Sequence, residues 1–170
     1  MSRVSKSVVE WLEARFINNQ NGIITEQVKH CCFRMIHDFL DEKEHNYHTP
    51  AIYYDAFADD SSAEFISVLA EELSCKLGIQ KSKPKLSLSE AIIEAELKMV
   101  IIDKCHLHTP EITDEILTWL NRHNVCVIFV GVKSEIERTQ FMDCPSIAKL
   151  STFEAGTICT CSDSTLAVIF

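Results

Sequence analysis

The run MVIID, residues 99–103, constrains the fold of this chain more than any other feature. Its apolar part is short, rich in β-branched side chains and bounded by polar residues, the pattern of a strand buried on both faces of a parallel sheet. Asp103 closes the run. A carboxylate at the carboxyl end of such a strand points into the crevice where open α/β sheets bind their ligands. Residues 125–130, VCVIFV, predict a second buried strand closed by Gly131. Residues 51–57, AIYYDAF, predict a third, and Ile23 with Ile24 a short fourth. Further short strands are predicted around Thr152 and over residues 166–170.

Helical spacing fills the intervals. Residues 4–17 carry Val8, Val9, Leu12 and Phe16 on one face, and residues 28–40 carry Val28, Cys32, Met35, Ile36, Phe39 and Leu40. Ser61 with Glu64, and Ser87 with Glu90, are capping boxes, in which the two side chains satisfy free amides at a helix start. The first of these helices stops at Gly78, the linker-like segment QKSKPK follows, and the second helix then leads to Lys98. Thr109 followed by Pro110 marks another start, proline being tolerated at the first helical position. Residues 134–141 predict a last helix. Strands separated by helices imply a parallel sheet covered on both faces. The expectation is a single α/β domain over residues 1–170, with residues 155–170 forming an edge strand or a mobile tail.

Composition narrows the classes of function. A hydrophobic fraction of 46% and a charged fraction of 24% over 170 residues are those of an ordinary globule. No apolar run approaches the roughly 18 residues of a membrane span. Glu10 and Glu13 interrupt the apolar residues at the start, so no signal peptide is read there and the cytoplasm is the expected compartment. A net charge of −9 does not support direct nucleic-acid binding, which needs clustered Lys and Arg to neutralise phosphates. The chain has eight cysteines. With Cys126 in a predicted strand and Cys31 and Cys32 in a predicted helix, they read as reduced, mostly buried thiols.

In nucleotide-hydrolysing sheets, the acid at the end of such a strand helps to hold Mg²⁺. Its companion is a GxxxxGK[ST] loop, whose backbone amides crowd around anionic oxygens. The chain has four glycines, Gly22, Gly78, Gly131 and Gly156, and they do not make this loop. In the right place stands NGIITEQVKHCCF, residues 21–33. There Lys29 takes the place of the loop lysine, His30 that of the Mg²⁺-binding hydroxyl, and Val28 that of the preceding glycine. Lys29 then belongs to a divergent phosphate loop, or is a solvated lysine on a strand-to-helix turn. Lys104 follows Asp103 where a water-polarising carboxylate is usual, and an ammonium cannot take up that proton. Asp103 either holds a metal or caps the sheet edge beside Lys104. Val132, after Gly131, cannot donate a hydrogen bond to a terminal phosphate. With these positions lacking their chemistry, no catalytic residue is assigned, and Lys29 and Asp103 stand as nucleotide-binding remnants.

Other metal sites find little support. Cys105, His106 and His108 are close in sequence, His45 and His48 share a polar loop, and Cys159 and Cys161 are spaced CxC rather than CxxC. They do not define a four-ligand set, so no metal is expected. A metal- or thiol-dependent regulator built on Cys105, His106 and His108 is kept as an alternative.

The layout resembles the AAA+ ATPases of the TnsC/TniB type, regulators of certain DNA transposons. The likeness spans residues 8–137. It is carried by VVEWLEARF before the first strand, by PAIYYDAF as the second, and by KMVIIDKCHL, which looks like the family's acidic strand end. NVCVIFVGVKSEIER looks like the strand bearing the first sensor. The 74 residues from Lys29 to Asp103 (103 minus 29) suit such a domain. The resemblance implies a P-loop-NTPase-like three-layer sandwich whose mainly parallel, five-stranded sheet has the order 5-1-4-3-2. It also implies ATP with Mg²⁺, assembly into rings or filaments, and a bridge between DNA and a transposase. The stretch MDCPSIAKLSTFEAG holds no arginine for a finger, and the chain stops where the family's helical lid would begin. The expectation is therefore a degenerate member without cofactor or lid, catalytically inactive and acting through a protein partner. That partner would be an active AAA+ ATPase, a transposase or a second copy of the chain. The alternative is a divergent ATPase that binds ATP and Mg²⁺ through Lys29 and Asp103, with His106 as a further group.

Overall fold

A computed structural model describes residues 7–44, 48–78 and 87–155. The strand expected over residues 166–170, the linker-like QKSKPK, His45, Gly156, Cys159 and Cys161 lie outside these described residues.

Helix α1 (Val8–Asn18) opens on a capping box that sequence reading did not pick out. The Ser7 hydroxyl accepts from the Glu10 amide, and the Glu10 carboxylate accepts from the Ser7 amide. Then follow β1 (Gly22–Glu26), α2 (Phe33–Lys43), β2 (Ala51–Asp55), α3 (Ser62–Lys76) and α4 (Leu88–Ala95). The boxes at Ser61 and Ser87 start α3 and α4 as expected. The chain continues through β3 (Met99–Asp103), α5 (Pro110–Arg122), β4 (Cys126–Val132), α6 (Lys133–Arg138), α7 (Pro145–Ala148) and β5 (Ser151–Glu154). Thr109 caps α5, its side chain accepting from the Ile112 amide, with Pro110 at the first position.

The five strands form one parallel sheet in the order β2-β3-β4-β1-β5, the expected 5-1-4-3-2 read from the other edge. Alternate side chains of each strand serve opposite faces. Val100 and Ile102 join the core formed with α3, α4 and α5, while Met99 and Ile101 join the one formed with α1 and α2. The buried strands thus sit between two helical layers. No described helix is long and apolar enough to cross a membrane.

Of the element boundaries that differ from expectation, two shape the site. Residues 28–32 are not helical: they belong to a turn, and α2 begins only at Phe33. His30 takes a left-handed backbone (φ 64°), which a helix cannot accommodate, and Val28 is 62% exposed rather than packed. Cys31 and Cys32 therefore lie on a loop. Strand β4 runs through Gly131 instead of ending there. A side chain at Gly131 would stand 3.0 Å from the Ile136 Cδ1 and 3.2 Å from the Cys105 Sγ, so the glycine serves close packing rather than a turn.

Candidate functional site

The carboxyl ends of β1, β3 and β4 enclose a cavity of about 490 Å³, in the crevice where open parallel sheets bind ligands. Glu26, Lys29 and His30 line it from the end of β1, and Asp103, Lys104 and His106 from the end of β3. Gly131, Val132 and Glu135 complete the wall. A wider cleft of about 600 Å³, between Phe16 and Lys98, lies near the amino end of β3.

Asp103 is 6% exposed. The Tyr53 hydroxyl donates to its Oδ2, and the Lys104 amide donates to its Oδ1 at 2.7 Å. His30 Nδ1 stands 3.9 Å from Oδ2. Lys104 enters a left-handed conformation (φ 52°), which turns the chain sharply after the strand. Its ammonium pairs with Asp55 Oδ1 at 3.0 Å, on the neighbouring strand where Asp55 stands in register with Asp103. Tyr53 is held by ring contacts to His37 and Phe33, with centroids 4.9 Å and 5.9 Å away. Burial first, and then the hydrogen bond to Asp103, push the Tyr53 hydroxyl pKa up, so at neutral pH it remains a donor. Both oxygens of Asp103 thus have donors within the protein.

The end of β1 is built differently. Glu26, 2% exposed, accepts from the Cys32 amide at 3.4 Å. Burial pushes its carboxyl pKa up, and Asp103 across the cavity adds to the rise. The Cys32 amide, with the thiol and amide of Cys31, pulls it partly back. Two further loop amides are engaged locally: Cys31 donates to the Val28 carbonyl and Phe33 to the His30 carbonyl, each at 3.2 Å. When the eight places of GxxxxGK[ST] are laid from the end of β1 to the start of α2, they run from Glu26 to Phe33. Glu26 then holds the place of the first glycine, Cys31 the second, Cys32 the lysine and Phe33 the hydroxyl. Lys29 stands on the turn itself, three residues before Cys32 (32 minus 29), and lines the cavity with Asp103.

The residues Cys105, His106 and His108 do not converge. Cys105 is buried under Gly131, and burial followed by the charge of Asp103 pushes its thiol pKa up, which keeps it protonated. His106 lines the cavity; burial lowers its pKa, and its Nδ1 has no hydrogen-bond partner among the described residues. His108 faces Asp60 instead, with Nε2 2.8 Å from the Oδ2 that also accepts from the Tyr54 hydroxyl at 3.1 Å. Among the described residues, Glu26, Cys31 and Cys32 form the set of three such groups whose ligand atoms all lie within 4.8 Å of one another. Sequence reasoning passed over Glu26 and Tyr53. The signal for Glu26 was present: it ends an apolar strand just as Asp103 does.

Comparison with curated proteins finds no match. A family model described as an AAA domain does match, over residues 2–140, which takes in β1, β3, β4 and the cavity at their ends. With most of its length matched and its strands in the P-loop-NTPase order, this chain belongs to the AAA domain family.

Proposed function

We propose that this chain is a degenerate family member of the TnsC/TniB type, which does not turn over ATP and serves as an interaction or regulatory module. The observation that carries the reading is the position of Glu26. A phosphate cradle needs unengaged amides and room for anionic oxygens at the start of its helix. Here a buried carboxylate takes the Cys32 amide, and neighbouring amides close on carbonyls within the turn. A phosphate oxygen about 4 Å from an ionised Glu26 would be repelled by about 4 kcal/mol at the screening usual in proteins. The residues present therefore fit a triphosphate with Mg²⁺ poorly. At the end of β3, Asp103 is engaged by Tyr53 and Lys104, and Lys104 stands where a carboxylate would polarise water. A fold kept without its chemistry still offers its surfaces. The partner classes follow from the resemblance: an active AAA+ ATPase, a transposase or another copy of the chain, acting in the cytoplasm within a transposon-associated assembly.

The test is the melting temperature with and without millimolar MgATP. The expected result is no change; a rise of several degrees overturns the reading, because a ligand that binds only the folded state must stabilise it.

One observation favours a second reading, a divergent ATPase: Lys29 and Asp103 line the same cavity. In that case Lys29→Ala and Asp103→Ala each abolish turnover. Unchanged turnover in either variant excludes it.

A further inference from the structure

We infer that Glu26, Cys31 and Cys32 form a binding site for one zinc-like divalent ion at the start of α2. Zinc holds thiolate sulfur at about 2.3 Å, and tetrahedral angles then put two sulfurs about 3.8 Å apart. The sulfurs of Cys31 and Cys32 are 3.7 Å apart. A carboxylate oxygen of Glu26 lies within 4.8 Å of both, so a small movement of the side chain brings three ligand atoms onto one ion. The donor set selects the metal. Two thiolates with one carboxylate suit a borderline-soft ion, whereas Mg²⁺ and Ca²⁺ prefer oxygen ligands throughout.

The site also fits its surroundings. The turn between β1 and α2 presents the adjacent thiols to the same carboxylate, and the start of a helix tolerates the excess negative charge of three anionic ligands around a dication. Cys32 is buried and Cys31 half-buried, so an ion enters from the side of Cys31. Three protein ligands leave a fourth position for water or for a side chain of a partner. This inference does not depend on the absence of ATP turnover, since zinc binding and MgATP binding are measured separately.

The experiment uses the full chain, purified without chelator. Elemental analysis is expected to give one zinc per chain, and cobalt substitution to give a thiolate-to-metal charge-transfer band. Cys31→Ser, at the half-buried position, should weaken zinc about 100-fold or more in competition with a chromogenic chelator, since loss of even an outer-shell partner costs about 10–100-fold. Circular dichroism confirms that this variant is folded. Glu26→Gln should weaken zinc while leaving the cobalt–thiolate band in place. Replacing Cys159 and Cys161 by serine should change nothing. The inference fails if Cys31→Ser binds zinc as tightly as the parent chain, if cobalt gives no thiolate band, or if the Cys159 and Cys161 variant loses the metal.

Discussion

The ends of β1 and β3 face one another across one cavity, and each ends in a buried carboxylate. Their surroundings differ. Asp103 occupies the place where a nucleotide-hydrolysing sheet keeps its metal-holding acid, and its oxygens are served by a tyrosine from the neighbouring strand and by the next amide. Glu26 is served instead by the loop that leads from its own strand into α2, through the Cys32 amide. At β3 the carboxylate is satisfied by the neighbouring strand and the following peptide. At β1 the carboxylate accepts from the Cys32 amide and lies beside the thiols of Cys31 and Cys32. Two strand ends of one sheet can thus hold buried carboxylates by different means, because the loops that leave them differ while the strands beneath stay packed.

Perturbing the two ends sharpens the contrast. The largest effects should come from the strands beneath them. Ile24→Ala in β1 and Ile102→Ala in β3 each remove a fully buried side chain, at an expected cost of about 2–5 kcal/mol in urea unfolding. If one were tolerated at under about 1 kcal/mol, the two ends would not rest on equally firm strands. Gly22→Ala, at the start of β1, should cost about 1–3 kcal/mol, because its new carbon would run into the Trp11 ring and force α1 away. A neutral result there would mean that α1 yields easily. Tyr53→Phe removes a donor from buried Asp103 and should cost about 1–3 kcal/mol, read from the shift in thermal midpoint. An unchanged midpoint would show that Asp103 does not depend on its neighbour, erasing the distinction drawn above. The smallest effect should come from Lys104→Met, which breaks a partly exposed pair with Asp55 worth at most about 1 kcal/mol.

The strands and the capped helices were legible because their signals are local. MVIID, VCVIFV and the Ser61, Ser87 and Thr109 caps announce themselves within a few residues. The resemblance supplied the strand order, which no local pattern encodes. The start of α2 was misplaced because Val28, Cys32 and Met35 keep helical spacing, and only the backbone at His30 shows the break. That five-residue displacement (33 minus 28) puts Cys32 rather than Lys29 at the helix start. Tyr53 was hidden for another reason: its partner Asp103 lies 50 residues away and meets it only through the pairing of β2 with β3.

The sheet order also has a consequence for how the chain is made. Strand β1 lies between β4 and β5, with Gly22 opposite Ile128 and Ser151. Its neighbours leave the ribosome 106 and 129 residues after it (128 minus 22, and 151 minus 22). At ordinary translation speeds, Ile23 and Ile24 wait on the order of 5–25 s before any strand can cover them. The earliest described strand to emerge is therefore among the last to have both its edges paired.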